Sequence, residues 1–203
     1  LIISGYFPPY NAIGSIRVGE FCKYLKKYGY DVKVLTCHHY DLNKDLDLPI
    51  ENKNIIQNKW IDLFYLVSKA FNYFLKTNKN NNENLKNSNF ILNYSDILKS
   101  LFFWPDRQCF WFFPGYFSGK KIIKEWKPDL IFSSGWPITS ILIAKSLSKK
   151  FDLPFIAELR DLWMDNHYYY SPKWRKWLDN WLEKRTLRSA KALITVSKPL
   201  QKI

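Results

Sequence analysis

Cysteine is scarce in this 203-residue chain, which has only Cys22, Cys37 and Cys109. The three are scattered, and their spacing matches no metal-binding motif. An odd number of scattered cysteines is typical of proteins in a reducing compartment. We therefore expect no metal site built on cysteine.

Long hydrophobic runs are also missing. No stretch of about 20 apolar residues without charge occurs, which argues against a membrane-spanning helix, and no secretory signal is visible. The sequence predicts a cytoplasmic location, with peripheral contact at the inner face of the membrane as the form of membrane association to consider.

Acidic residues are few relative to basic ones. The chain has 31 Lys and Arg against 18 Asp and Glu, a formal net charge of +13. This excess favours anionic partners, which include nucleic acid, a phosphate-bearing ligand and an anionic membrane surface. Because no helix-turn-helix, zinc or RNP-type motif is present, no nucleic acid partner is expected.

What the chain does contain is an alternation of strand and helix patterns. Gly29 ends the first helical pattern, and a strand-helix-strand unit of this kind predicts parallel pairing with a right-handed crossover. The pattern as a whole predicts one α/β domain over 1–203, a Rossmann-like doubly wound and mostly parallel sheet. The predicted strands are 1–3, 31–36, 129–133, 154–158 and 192–196, and the predicted helices begin near Gly14 or span 117–126, 137–149 and 172–188.

Between residues 37 and 100 the alternation of strand and helix patterns is less distinct. Trp60 to Lys76 has helical spacing of apolar residues, which indicates a helix. The Asn-rich segment 76–89 that follows is almost free of apolar residues, and we predict a mobile surface loop there.

Ligands of doubly wound sheets bind beyond the carboxyl ends of the strands, so the loops at those ends are the candidate ligand sites. The first loop leads into a helix through Gly14, Ser15 and Arg17. Amides of residues 14–16 at a helix N-terminus would form an anion site, and Arg17 adds a positive charge. The alternative is a proline-stiffened loop with a serine cap. A dinucleotide-binding GxGxxG motif is absent.

Two further strand ends carry polar residues. Ser134, Gly135 and Trp136 open the third predicted helix, where small and hydroxyl residues suit a sugar or a phosphate; a plain helix cap is the alternative. Arg160 and Asp161 directly follow a buried strand. Charges are costly to bury there unless they pair or contact a ligand, so these two are candidate acceptor contacts, and a structural ion pair is the alternative.

Aromatic residues concentrate in two places. Nine of the seventeen residues from Leu101 to Phe117 are aromatic, with Arg107 among them; they favour core packing, with sugar stacking or membrane contact as alternatives. The helix predicted from Pro172 to Arg188 has Trp and Leu on one broad face among many basic residues. It is consistent either with an ordinary helix packed on the sheet or with a helix lying on an anionic membrane. His38, His39 and His167 show no metal-site pairing.

Several of these segments together resemble glycosyltransferase family 4. The resemblance rests on FPP…GSIR near the start, VLT at the second strand, PDRQCFWFFPG, PDLIFSS, and above all ELRDLW and SAKALITVS. It covers nearly the whole chain except residues 38–100. The chain departs from the family where Ile13-Gly14 replaces a Gly-Gly pair and where Met164-Asp165 replaces Pro-Glu.

The resemblance implies the N-terminal, acceptor-binding half of a GT-B fold, with the donor domain absent from this chain. It implies a retaining transfer from a nucleotide-sugar, without a cofactor or a metal ion, to a cell-envelope or lipid-linked glycan. Arg17 and Arg160 would then supply positive charge, Asp161 would orient or polarise the acceptor, and this chain alone would be inactive. Residues expected to bind acceptor or diphosphate are Gly14, Ser15, Arg17, Arg107, Ser134, Gly135, Trp136 and Arg160. The alternatives are a non-catalytic membrane-docking or scaffold domain of the same fold and, less favoured, a basic nucleic-acid-binding module.

Overall fold

The computed structural model describes residues 1–63, 65–66, 69, 103–164 and 172–198. The predicted loop at 76–89, most of the helix predicted from Trp60 to Lys76, and His167 lie outside these residues. The assignment of 1–203 to one domain stays a prediction.

Six parallel strands form one sheet in the order β3-β2-β1-β4-β5-β6. The order runs outward from β1 in both directions, which confirms the predicted Rossmann-like, doubly wound fold. The strands are β1 (Ile2–Ser4), β2 (Val34–Cys37), β3 (Ile55–Asn58), β4 (Ile131–Gly135), β5 (Phe155–Leu159) and β6 (Ala192–Thr195).

Helices cover both faces of this sheet. We label those in the described residues α1 (Ile13–Lys27), α2 (Phe112–Trp126), α3 (Ile138–Phe151) and α4 (Lys173–Leu187). Short 3-10 helices span Asn52–Asn54 and Cys109–Trp111. Helix α1 packs on one face, where Val18 and Cys22 meet Ile2 and Phe132. Helices α2 to α4 pack on the other face around the larger core, whose fully buried side chains include Trp111.

The structure differs from the sequence-based prediction in two elements. Strand β3 was not predicted, because its four residues include only two apolar ones, which lie between Asn54 and Gln57. Helix α2 begins at Phe112, five residues before the predicted start, so part of the aromatic segment is helical. Pro114 is compatible with this because the first turn of a helix needs no backbone donor there.

The adjacent strands β1 and β4 lead away in opposite directions along the sheet, so a crevice is expected beyond their carboxyl ends. Gly5 follows β1 at this point, and its amide donates to Ser140 Oγ at 2.9 Å. A Cβ on Gly5 would collide with the ring of Pro137, which explains why only glycine fits between β1 and the start of α3. We call this edge of the sheet the rim.

No helix within the described residues is long and apolar enough to cross a membrane.

Candidate functional site

Helix α1 begins at the rim without a side-chain cap. Its N-cap is Ala12, and its first turn has no acidic residue. The amides of Ser15 and Ile16 donate to the Ala12 carbonyl at 2.9 and 3.2 Å, so two of the three predicted anion-binding amides are already hydrogen-bonded. The Gly14 amide lies in the first turn, where helix geometry provides no intrahelical acceptor. Of the three predicted amides, that of Gly14 is therefore the one left without an acceptor in the helix.

The guanidinium group of Arg160 lies directly against Gly14. A Cβ on Gly14 would collide with Nη1 of Arg160, so the absent side chain is what allows this approach. The Arg160 side chain is 19% exposed, and its Nε is 3.7 Å from Oδ2 of Asp161, which is 55% exposed. A cation is thus held beside the positive end of a helix, an arrangement that attracts an anion.

A second guanidinium group reaches the same place from α1. Nε of Arg17 donates to Oε1 of Glu158 at 2.6 Å, and Glu158 is completely buried in β5. The second carboxylate oxygen, Oε2, is also buried and has no hydrogen-bond partner. Glu158 therefore joins the first turns of α1 to the strand that carries Arg160.

Ser134 lies next to Glu158. The two residues are partners in the register of β4 and β5, and Ser134 is on the face that carries Phe132, which packs toward α1. The structure thus brings together five predicted site residues around the beginning of α1. These are Gly14, Ser15, Arg17, Ser134 and Arg160, with Asp161 at their edge.

Gly135 and Trp136 point elsewhere. A Cβ on Gly135 would lie 2.9 Å from Cδ1 of Ile141 in α3, on the opposite face from α1. Trp136 packs against the larger hydrophobic core. Packing alone therefore explains why Gly and Trp occupy these two positions. Their predicted ligand contacts stay predictions.

The N-terminus of α3 is already capped by the Asp106 side chain. Asp106 is buried and accepts hydrogen bonds from the amide and the hydroxyl of Thr139, both at 2.8 Å. It also accepts from the Gln108 amide at 2.9 Å. Burial raises the pKa of Asp106 above its ordinary 3.8, and the hydrogen bonds from Thr139 oppose this rise. The predicted phosphate or sugar site at this helix start thus coincides with an internal cap.

Arg107 is held by two carboxylates on the far side of β2. Its Nη1 donates to Asp41 at 2.7 Å, and its Nε donates to the buried Asp62 at 3.2 Å. These bonds tie the loop around Arg107 to the segments that follow β2 and β3. Because its charge is balanced there, Arg107 is less suited than Arg160 to bind a ligand anion.

His39 lies at the end of β2 beside the rim. Its Nε2 is 2.7 Å from the Gly5 carbonyl, which can only accept, so Nε2 carries the proton and Nδ1 is the ring's acceptor. The ring stacks on Tyr6 with centroids 4.6 Å apart. Burial lowers the pKa of His39 below its ordinary 6.5, which keeps the ring neutral near pH 7.

Sequence reasoning missed three of these features: the Arg17–Glu158 pair, the Asp106 cap and the stacked His39. Only Glu158 gave a signal, because a carboxylate inside the apolar strand PFIAEL must find a partner. The others depend on partners more than thirty residues away. Within the described ranges, no group of three or more His, Cys, Asp or Glu could hold a metal ion.

Comparisons with known proteins point to one family. The family model for Glycosyltransferase Family 4 matches residues 14–203. Neither the curated proteins nor the solved structures give a match. The matched range includes α1 and the β5 loop that carry the rim residues, and it covers most of the chain. The chain therefore belongs to glycosyltransferase family 4.

Proposed function

We propose that this chain is the acceptor-binding half of a retaining glycosyltransferase. It would help to transfer a sugar from a nucleotide-sugar to a cell-envelope or lipid-linked glycan. The observation that carries the proposal is the contact of Arg160 with Gly14 at the start of α1, with Arg17 fixed by Glu158 beside it. We call Gly14, Arg17 and Arg160 the rim group, since they combine two guanidinium groups with the positive end of a helix.

The rim group is suited to bind an anionic oxygen of either substrate. A diphosphate, whether on the donor or on a lipid-linked acceptor, would accept hydrogen bonds from Arg160 and from the Gly14 amide. Donors fixed in advance stabilise the charge that develops on a leaving diphosphate without having to reorganise. Asp161, exposed beside Arg160, would accept a hydrogen bond from the acceptor hydroxyl and orient it.

The family resemblance assigns the nucleotide contacts to a second domain that faces this one. Under the proposal, the nucleotide-sugar is a co-substrate, and transfer requires both domains because the two substrates must meet across their cleft. The 203-residue chain alone would bind ligand but would not transfer sugar.

Binding to this chain is therefore the direct test. Soluble short-chain prenyl diphosphate sugars and nucleotide-sugars would be titrated against the chain by calorimetry. We expect binding of at least one class, and Arg160→Ala should weaken it by about tenfold or more, because a charge-assisted hydrogen bond is lost. Lys27→Ala is the matched control, since it removes one positive charge from the far end of α1.

Two results would contradict the proposal. One is an absence of binding by every diphosphate sugar tested; the other is equal weakening by Arg160→Ala and Lys27→Ala, which would indicate only general charge attraction. In the full-length enzyme, Asp161→Ala should lower the transfer rate while the fold, checked by circular dichroism, is unchanged. Normal transfer by that variant would remove Asp161 from the mechanism.

A further inference from the structure

Helix α4 buries three polar residues and turns its three tryptophans outward. The buried positions are Arg175, Asp179, Leu182 and Thr186. Trp174, Trp177 and Trp181 are 42%, 69% and 48% exposed. An amphipathic helix on a sheet normally buries its largest apolar side chains, so this orientation needs a cause.

Specific polar contacts hold the helix in this orientation. Arg175 pairs with Asp179 at 3.3 Å and donates to the Pro105 carbonyl at 2.9 Å. Asp179 also accepts from Nε1 of Trp104 at 2.7 Å, and Lys145 of α3 donates to Thr186 at 3.1 Å. Rotating α4 to bury its tryptophans would expose or unpair these groups. The outward row is therefore built into the fold.

The outward face of α4 is strongly basic. Asp179 is buried and Glu183 is half-buried, and these are the only two acidic residues of the helix. Arg185 stacks over the Trp181 ring, with its Cζ 5.2 Å from the centroid. The exposed basic residues around the three tryptophans are Lys173, Lys176, Lys184, Arg185 and Arg188.

We propose that the outward face of α4 is a docking surface for an anionic lipid bilayer. Tryptophan is the residue that best occupies the region between lipid headgroups and acyl chains, and Lys and Arg beside it would contact anionic headgroups. The row from Trp174 to Trp181 covers eight residues, and the seven steps between them extend about 10 Å along the helix. It therefore offers a flat apolar strip that could enter a bilayer along its whole length.

Charge and shape favour a bilayer over other occupants. A second copy of this chain also carries a net charge of +13, so it would be repelled by five exposed cations. Single-stranded nucleic acid usually binds aromatic residues in a positively charged groove, whereas these tryptophans project from the outer surface of a helix.

The docking surface continues toward the rim. Helix α4 follows β5, so its N-terminal end lies at the edge of the sheet that carries Arg160. A chain docked through Trp174 and Trp177 would have its rim beside the membrane surface. This consequence rests on the proposed function: the acceptor would be a lipid-linked glycan taken from the bilayer. The docking itself does not depend on sugar transfer.

The test is cosedimentation of the 203-residue chain with vesicles. We expect binding to vesicles of equal phosphatidylglycerol and phosphatidylcholine, weaker binding at high salt, and little binding to pure phosphatidylcholine. Trp177→Ser should lower the partition coefficient by about tenfold, because the inserted apolar area is lost. Tyr28→Ser is the matched control: Tyr28 is 75% exposed and ends α1, on the opposite face of the sheet.

Each other outcome overturns the proposal. Failure to bind the anionic vesicles does so, as does binding that Trp177→Ser and Tyr28→Ser reduce equally. A Trp177-dependent dimer, or Trp177-dependent binding to single-stranded DNA in place of vesicles, would assign the surface to another partner. Circular dichroism checks that Trp177→Ser is folded. Since no sugar or diphosphate is present, failure here leaves the proposed transferase function untouched.

Discussion

Glu158 is a fully buried carboxylate in the middle of a parallel sheet, and Arg17 is its partner. Burying a carboxylate is costly unless a cation and hydrogen bonds replace the lost water. Only one of its two oxygens has a partner. A pair of this kind is retained more easily for what it positions than for stability, and here it fixes Arg17 beside Gly14.

Removing the cation should therefore destabilise the fold. We expect Arg17→Met to lower the free energy of unfolding by about 2 kcal/mol, less than for a fully buried pair because Arg17 is 36% exposed. Replacing Glu158 as well, in the Arg17→Met/Glu158→Met double variant, should restore most of this loss. Urea unfolding measures the free energy of unfolding of the single and the double variant.

Lys23→Met is the control for that comparison. Lys23 pairs with Glu20 at 3.4 Å on the surface of the same helix, and exposed pairs contribute about 0–1 kcal/mol. If Arg17→Met costs no more than Lys23→Met, Glu158 does not depend on Arg17 for its burial.

His39 gives the fold a defined pH dependence. Its pKa is lowered by burial, so below its ordinary 6.5 the unfolded chain binds a proton that the folded chain does not. Stability is then fully present above pH 6.5 and falls as the pH decreases below it. Urea unfolding from pH 7.5 to 5 should show this decline, and His39→Gln should flatten it.

His38 acts in the same direction, since burial and then the neighbouring Lys44 and Lys59 lower its pKa too. A residual slope in His39→Gln is therefore expected. The assignment to His39 would be wrong if His39→Gln kept the whole slope of the unmodified chain.

At the scale of elements, the start of α3 depends on a residue from another loop. Asp106 gives Thr139 the acceptors that the helix N-terminus lacks within its own sequence, and it also accepts from the Gln108 amide in its own loop. We expect Asp106→Ala to lower the free energy of unfolding by about 2 kcal/mol, the upper range for a lost cap, because the freed donors are buried.

Thermal and urea unfolding would measure this change. Asp45→Ala, at an exposed position, should alter stability by about 0.5 kcal/mol at most. Equal effects of the two substitutions would mean that the cap contributes nothing beyond its surface charge.

Most of the strands and helices could be predicted from the sequence, and the two differences show which signals are needed. Apolar runs with β-branched residues indicated β1, β2, β4, β5 and β6, and the alternation with helices indicated their parallel order. Strand β3 was missed because it has little apolar signal and pairs only with β2. The early start of α2 was missed because its aromatic residues are compatible with core, helix or loop.

At the scale of the whole molecule, two groups predicted separately belong to one edge of the sheet. The sequence indicated that Gly14 and Arg160 follow strands whose ends meet, and the structure has them in contact. The orientation of α4 was not predictable, since its Trp and Leu residues occupy one broad arc. Contacts of Asp179 with Trp104 and of Arg175 with Pro105, about 70 residues away, decide which part of that arc is buried.

The buried Asp106, which caps the N-terminus of α3, also affects where an anionic ligand can bind. An incoming anion at that helix would have to displace the Asp106 side chain, which already accepts the hydrogen bonds of Thr139. The first turn of α1, on the other side of the crevice, contains no acidic residue and has no side-chain cap. Under the proposed function, an anionic ligand would therefore bind with its charged end toward the N-terminus of α1.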